Sequence, residues 1–291
     1  MKEYIEMSAN WSDYFECKYA TVNDKTFKRY EYKDKSVVKL PANLPMPPTD
    51  TFYMMFYYCK QLEDITALSN WDVSKVEDMS GMFWGCEQLK GISALANWDV
   101  SNVRDMYIMF NTCKQLEDIS ALANWDVSNV ENMPNMFGVC YKLKDISALA
   151  NWDVSNVKDM NHMFCYCHEL QDISALANWD VSKVRNMNLM FNDCKQLEDI
   201  SALANWDVSN VEEMVNMFRG CILLPQSIQS EDFHMNVYLS EYRHDMYKKE
   251  TNQQISALQK ENAELKSRLA YLEEKLDFLM ARFSEMPQWN S

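Results

Sequence analysis

Two columns of side chains with reactive chemistry run through this chain. Cysteine falls at Cys59, Cys86, Cys113, Cys140, Cys167, Cys194 and Cys221, and aspartate at Asp72, Asp99, Asp126, Asp153, Asp180 and Asp207, each series stepping by 27 residues. Thiolates so arranged bind soft metals or pair as disulfides, and aligned carboxylates bind calcium. With Cys17 and Cys165 the thiols number nine, an odd count, and no C-x-x-C pair of the zinc kind occurs. Neighbouring column members stand close enough for a disulfide on geometric grounds. The reading that fits the surrounding apolar pattern is reduced thiols filling small buried slots. The aspartates each stand two residues before a serine, the arrangement of an Asx turn, in which the carboxylate accepts a backbone N–H. Calcium is the alternative, but nonapeptide calcium repeats need glycine-rich turns, and the whole chain has five glycines. His162, His168, His234 and His244 show no metal-ligand spacing, and no cofactor is expected.

The elements that position these groups form a strict repeat. Tryptophan recurs at Trp71, Trp98, Trp125, Trp152, Trp179 and Trp206 with the same 27-residue step. Each copy reads L-x-[DG]-I-[ST]-A-L-[AS]-N-W-D-V-S-x-V-x-x-M-x-x-M-F-x-x-C-x-x-L. A period in this range marks a supersecondary unit that buries its apolar face only by stacking on its own copies. Met133, Met136, Phe137 and Cys140 have the i, i+3, i+4, i+7 spacing of one helical face. Leu116, Ile119 and Leu122, followed by Trp-Asp-Val-Ser, suit a short strand and a corner. The expected architecture is an α/β repeat, a solenoid of six 27-residue units with terminal caps and a C-terminal α-helical coiled coil. Tryptophans, methionine pairs and cysteines are expected in its core.

The W-D-x-S-N-V-x-x-M-x-x-M-F-x-x-C signature, whose Trp, Asp, Val, Met-Phe and Cys positions match in six consecutive copies over roughly residues 52–221, resembles the BspA-like leucine-rich repeat family. That resemblance implies a leucine-rich-repeat solenoid of the kind found in bacterial surface proteins and mycoplasma-type lipoproteins, with a role in adhesion or protein recognition and no catalytic residues to transfer. It also implies a cell-surface or virion location. The residues themselves suggest a cytoplasmic one: Met1-Lys2-Glu3-Tyr4-Ile5-Glu6 is not a basic region leading into an apolar run, and unpaired cysteines suit a reducing compartment.

The expected divisions are an N-terminal cap with a hairpin and the start of the array (1–56), the repeats (57–221), a C-terminal cap and connector (222–250) and a parallel coiled coil (251–287). In the cap, residues 27–32 and 36–40, joined by Lys33-Asp34-Lys35, read as the hairpin. In the tail, Ile255, Asn262, Leu269, Leu276 and Phe283 take heptad position a, and Leu258, Leu265, Leu272, Leu279 and Met286 position d. Glu261 with Lys266 and Arg268 with Glu273 are opposite-sign pairs between parallel strands, and a single Asn at position a favours two strands in register. The first expected partner is therefore a second copy, held as a parallel homodimer through residues 255–286.

Comparing the six copies shows where the unit tolerates change. Ser80, Tyr107, Pro134, Asn161, Asn188 and Val215 share one slot, and Gly81, Ile108, Asn135, His162, Leu189 and Asn216 the next. Two more hold Trp84, Asn111, Gly138, Cys165, Asn192 and Arg219, and Gly85, Thr112, Val139, Tyr166, Asp193 and Gly220. Variable slots carrying aromatic and apolar residues are either solvent positions free to drift or a partner surface, and the candidates for the latter are Trp84, Tyr107, Ile108, His162, Tyr166, Leu189 and Arg219. A net charge of −15 argues against nucleic acid, and no run of 18 apolar residues exists to insert in a membrane. Without a nucleophile–base pair, phosphate loop or convergent carboxylates, no enzyme is expected. The function these features suggest is a protein-binding or adhesion scaffold displayed as a dimer, its ligand an unidentified protein. The other reading is a structural rod-and-stalk component of a viral particle or cell-surface layer.

Overall fold

The computed structural model describes residues 10–22, 25–224 and 233–284. They fall into two units, one ending at Leu239 and one beginning at Ser240.

The first unit opens with a single helical turn, α1 (Trp11–Tyr14), whose N-cap Asn10 accepts the N–H of Ser12 at 3.2 Å. Strands β1 (Phe15–Val22) and β2 (Lys25–Tyr32) follow, paired antiparallel from Phe15↔Tyr32 to Val22↔Lys25. The hairpin therefore lies one element earlier than the sequence suggests: β2 pairs with β1, not with residues 36–40. The cause is local. Asp34 accepts the N–H and hydroxyl of Ser36 at 2.9 and 2.6 Å, an Asx turn that redirects the chain before it could pair back on β2. Phe15 and Tyr32 set their rings against Phe56, at 6.0 and 5.5 Å, so the hairpin covers the first rung of the repeat.

From there, successive 27-residue coils are joined edge to edge. Parallel bridges run Thr51–Asp78–Asp105–Asn132–Asp159–Asn186–Glu213, each step 27 residues. The half expected to be helical is not. In the copy from Met106 to Cys113, the N–H groups of Met106, Ile108, Phe110 and Thr112 donate to carbonyls of the next coil, at Asn132, Pro134, Met136 and Gly138, at 2.8–2.9 Å. The N–H groups of Met109, Asn111 and Cys113 close back three residues, at 3.1–3.2 Å. Alternate amides thus serve the stack and the coil's own turns, leaving none for an i→i−4 helix. The only helical pieces of the repeat are short 3₁₀ turns in its other half, such as Ser120–Asn124 and Ser147–Leu149, where a strand was expected.

The expected core residues are buried, except half-buried Met214 in the last coil, and the tryptophan and cysteine columns each carry their own rung-to-rung bond. Every repeat indole N–H donates to a leucine carbonyl of the preceding coil at 2.9–3.1 Å, Trp125 to Leu95 for example. The phenylalanines stack most regularly: Phe56, Phe83, Phe110, Phe137, Phe164, Phe191 and Phe218 sit 5.6–5.7 Å apart with their planes within 3–8°. A further coil precedes the six that the sequence displays. Leu40 donates to Asp64, Phe52 to Asp78, and Leu44 supplies the carbonyl for the Trp71 indole. Pro41, Pro45, Pro47 and Pro48 erase its sequence pattern, not its place in the stack.

The last described element is α2 (Phe233–Ser284), whose residues from Ser240 onward belong to the second unit. Along it Ile255, Leu258, Leu265, Leu269, Leu272 and Leu276 are 47–59% exposed. The side chains of Leu279 and Phe283, and all of Met286, lie outside the described residues. Among the described residues no helix is long and apolar enough to cross a membrane.

Candidate recognition surface

The two chemistry-bearing columns serve the stack itself. None of the nine cysteines is joined in a disulfide, and only Cys17 is exposed. Each repeat thiol from Cys86 to Cys221 donates to a phenylalanine carbonyl of the preceding coil at 3.0–3.3 Å. Burial pushes Cys59 up to about 11 and Cys165 and Cys221 up to about 12, and drives Cys86, Cys113, Cys140, Cys167 and Cys194 well above the usual thiol range. A thiol-disulfide reagent at pH 8 should therefore titrate one thiol of nine in the folded protein and all nine after denaturation. Rapid reaction of more than two in the native state would contradict this burial.

The aspartates are turn caps, and there are more of them than the single column the sequence suggests. Asp-x-Ser corners recur at Asp72, Asp99, Asp126, Asp153, Asp180 and Asp207. Asp64, Asp118, Asp145, Asp172 and Asp199 make a second set, and Asp78, Asp105 and Asp159 a third. All fourteen accept the N–H two residues ahead at 2.7–3.1 Å. Where Pro134 removes that N–H, Asn132 occupies the cap column and turns its amide to Asp105 at 3.3 Å. The charge of −15 thus originates largely in corner chemistry. Among the described residues no three His, Cys, Asp or Glu side chains converge as a metal site. Two open clefts, of about 450 and 310 Å³, lie along the corners. Their lining includes Asp118, Asp145 and Lys183, all bonded within the stack.

The four variable slots occupy the alternating-bond segment and form one strip. Its continuity is backbone-bonded, from Tyr58 to Trp84, Gly85 to Asn111, Thr112 to Gly138, Val139 to Cys165, Tyr166 to Asn192 and Asp193 to Arg219, at 2.6–2.8 Å. Two of the slots have a property invisible to simple comparison of copies. Every copy places a positive φ at both, as at Gly81 and Gly85, Ile108 and Thr112, Asn135 and Val139, or His162 and Tyr166. They are the third residues of turns such as Met106–Met109 and Phe110–Cys113, the type II position that favours Gly or Asn. Gly, Asn and Asp at half of these twelve positions are the sequence clue to it. β-Branched Ile108, Thr112 and Val139 at the same φ cost about 1–3 kcal/mol each. Replacing Gly85 by valine tests this, since an added Cβ meets Tyr58 only at an ordinary 3.4 Å. The expected loss is about 1–3 kcal/mol in urea unfolding, and an unchanged midpoint would remove the strain.

The seven candidate contact residues all fall on this strip, but not all are accessible. Tyr107, Tyr166 and Arg219 are exposed; Trp84, His162 and Leu189 are half-buried. Ile108 is buried and packs over Gly81, so it supports the strip from beneath and is no contact residue. Trp84 lies edge-on to Tyr58 at 5.2 Å. His162 meets the Asn161 side chain at 2.9 Å, and burial lowers its basicity. Sequence comparison missed Tyr58, which belongs to the irregular first coil. His168, stacked on Tyr141 at 4.7 Å, is likewise made less basic by burial. The side chains of His234 and His244 lie outside the described residues.

A stack of near-identical coils whose conserved polar groups are spent on caps and ladders is a repeat protein. The chain belongs to the family described as Mycoplasma protein of unknown function, DUF285, whose model matches residues 50–148 and again 139–258. That family is related to BspA-like repeat proteins. Comparison with curated proteins and with solved structures gives no match.

Proposed function

We propose that the stacked coils form a leucine-rich-repeat-type solenoid acting as a non-enzymatic protein-recognition scaffold, displayed in two copies by α2. The carrying observation is the apolar seam along α2. Six aliphatic residues at heptad positions a and d stand about half exposed in the single chain, which on an isolated helix is an unfilled coiled-coil interface. Asn262 at position a and the pairs Glu261–Lys266 and Arg268–Glu273 support a parallel, two-stranded arrangement. The rest of the molecule supports a passive role: its thiols and aspartates are consumed by structure. Two scaffolds on one coil would bind clustered targets with avidity and no new contacts.

Light scattering tests the dimer. The intact chain should give twice its 34.3 kDa mass at micromolar concentration, and Leu265→Glu with Leu272→Glu should return the monomer without lowering the melting temperature of the repeats. A monomeric intact chain would refute the coil. Assembly well beyond a dimer would favour the rod-and-stalk role instead.

A further inference from the structure

We infer that the variable strip is a docking face for an uncharged protein segment bearing aromatic and aliphatic side chains. This deepens the recognition-scaffold reading, on which it rests, by giving the scaffold a contact surface and its ligand a chemistry.

Three observations converge on the strip. The first is where apolar surface is left open. Between Thr51 and Cys221 the exposed large hydrophobic residues are Tyr58, Tyr107, Tyr166 and Val215, at 42–61% exposure, and all four lie on this face, with half-buried Trp84 beside Tyr58. Scattered apolar exposure would be ordinary, but confinement to one face of a many-sided coil is not.

The second is charge. Eight of the 24 residues in the four slots are buried, and of the sixteen that are not, only Asp193 and Arg219 are charged, in a chain of which 24% is. Exposure elsewhere on the same coils does not exclude charge: the column Glu77, Arg104, Glu131, Lys158, Arg185 and Glu212 is charged in every copy. Loss of charge together with gain of tyrosine and tryptophan is the composition of an interface core.

The third is backbone strain. Tyr58, Thr112, Val139 and Tyr166 hold side chains at φ values of 57–64°, where Gly85 and Gly220 show that glycine serves the fold. Side chains kept at positions where the backbone prefers none have a use outside folding. A neutral strip on an acidic molecule also fixes the partner's character. A basic ligand would settle on the carboxylate corners, whereas the strip offers tyrosine faces, Val215 and uncharged Asn111, Asn188 and Asn216, which match an apolar segment without formal charge.

A displayed library of random 12-residue peptides, selected on the immobilised full-length protein, supplies the probe. The selected sequences should be rich in aromatic and aliphatic residues with net charge near zero. Tyr107→Ser with Tyr166→Ser, both at exposed positions, should weaken a synthetic selected peptide at least tenfold while the melting temperature stays within two degrees of the parent. Basic peptides, or neutral ones that bind the double variant equally well, would overturn the strip as the docking face and leave the scaffold reading standing. No enrichment at all would count against both.

Discussion

Phe137→Ala should be among the most damaging single substitutions in the repeat, lowering stability by about 3–5 kcal/mol in urea unfolding. The ring is fully buried and stacked between Phe110 and Phe164, each at 5.7 Å. Its backbone is held from both sides: the Phe137 N–H donates to Met163 at 3.0 Å, and the adjacent Met136 carbonyl receives the Phe110 N–H at 2.9 Å. The coil therefore cannot collapse into the space a missing ring leaves, and the upper part of the range applies. Each unit contacts only its neighbours, so the defect is felt mainly by the two flanking coils. Phe164→Ala alone should cost a similar amount. The double variant should lose less than the sum, since the second truncation removes a ring that has already lost one partner. A loss below 1.5 kcal/mol for Phe137→Ala, or strict additivity of the pair, would show that the stack does not hold the coils together.

The legible and illegible parts of this fold separate for physical reasons. The step between tryptophans and cysteines gave the unit and its core, because stacking imposes identity wherever a side chain meets its own copy. The local conformation of Met133–Cys140 was misread, because three overlapping turns place apolar residues at the same intervals as a helix. The residues that distinguish the two were Gly81, Gly85, Asn135, Asp193, Asn216 and Gly220. They are types that tolerate positive φ, four apart, in a segment where a helix would be weakened by them. Asp72 and its column were read correctly as turn caps, yet Asp64 and Asp78 head two further columns of the same kind. Of the first coil only the half from Met54 to Cys59 was legible, because prolines replaced the rest of its motif while its backbone bonds to Asp64 and Asp78 persisted. Of the candidate contact residues, Ile108 was misplaced because accessibility depends on the coil above and below, here on Gly81 making room for it.

The use of carboxylates as caps has a consequence for acid stability: the melting temperature should fall on the order of 10 °C between pH 6 and pH 2.5. The Lys39 ammonium and the Thr66 N–H hold Asp64 down to about 2. The hydroxyl and N–H of the following serine hold Asp72, Asp99, Asp180 and Asp199 below the usual carboxylate range, and the Ser120 N–H does the same for Asp118. A carboxylate depressed in the fold contributes stability that is complete above its unfolded value near 3.9 and is lost as pH falls through the folded value. His162 and His168, made less basic by burial, act in the same direction from about pH 6.5 downward. Asp78 opposes them. Burial pushes its pKa up and Asp105 adds like charge, so its ionised form destabilises the fold at neutral pH and protonation relieves it. Asp78→Asn should therefore raise the melting temperature at pH 7 and steepen its fall in acid. Asparagine already fills this column at Asn132 and Asn186, and the Asn186 side chain caps the Asn188 N–H at 3.0 Å. A flat profile from pH 6 to 2.5 would show that Asp64, Asp72, Asp99, Asp118, Asp180 and Asp199 bind protons alike in the folded and unfolded chain. A lower melting point for Asp78→Asn would show that its charge is needed where it is buried.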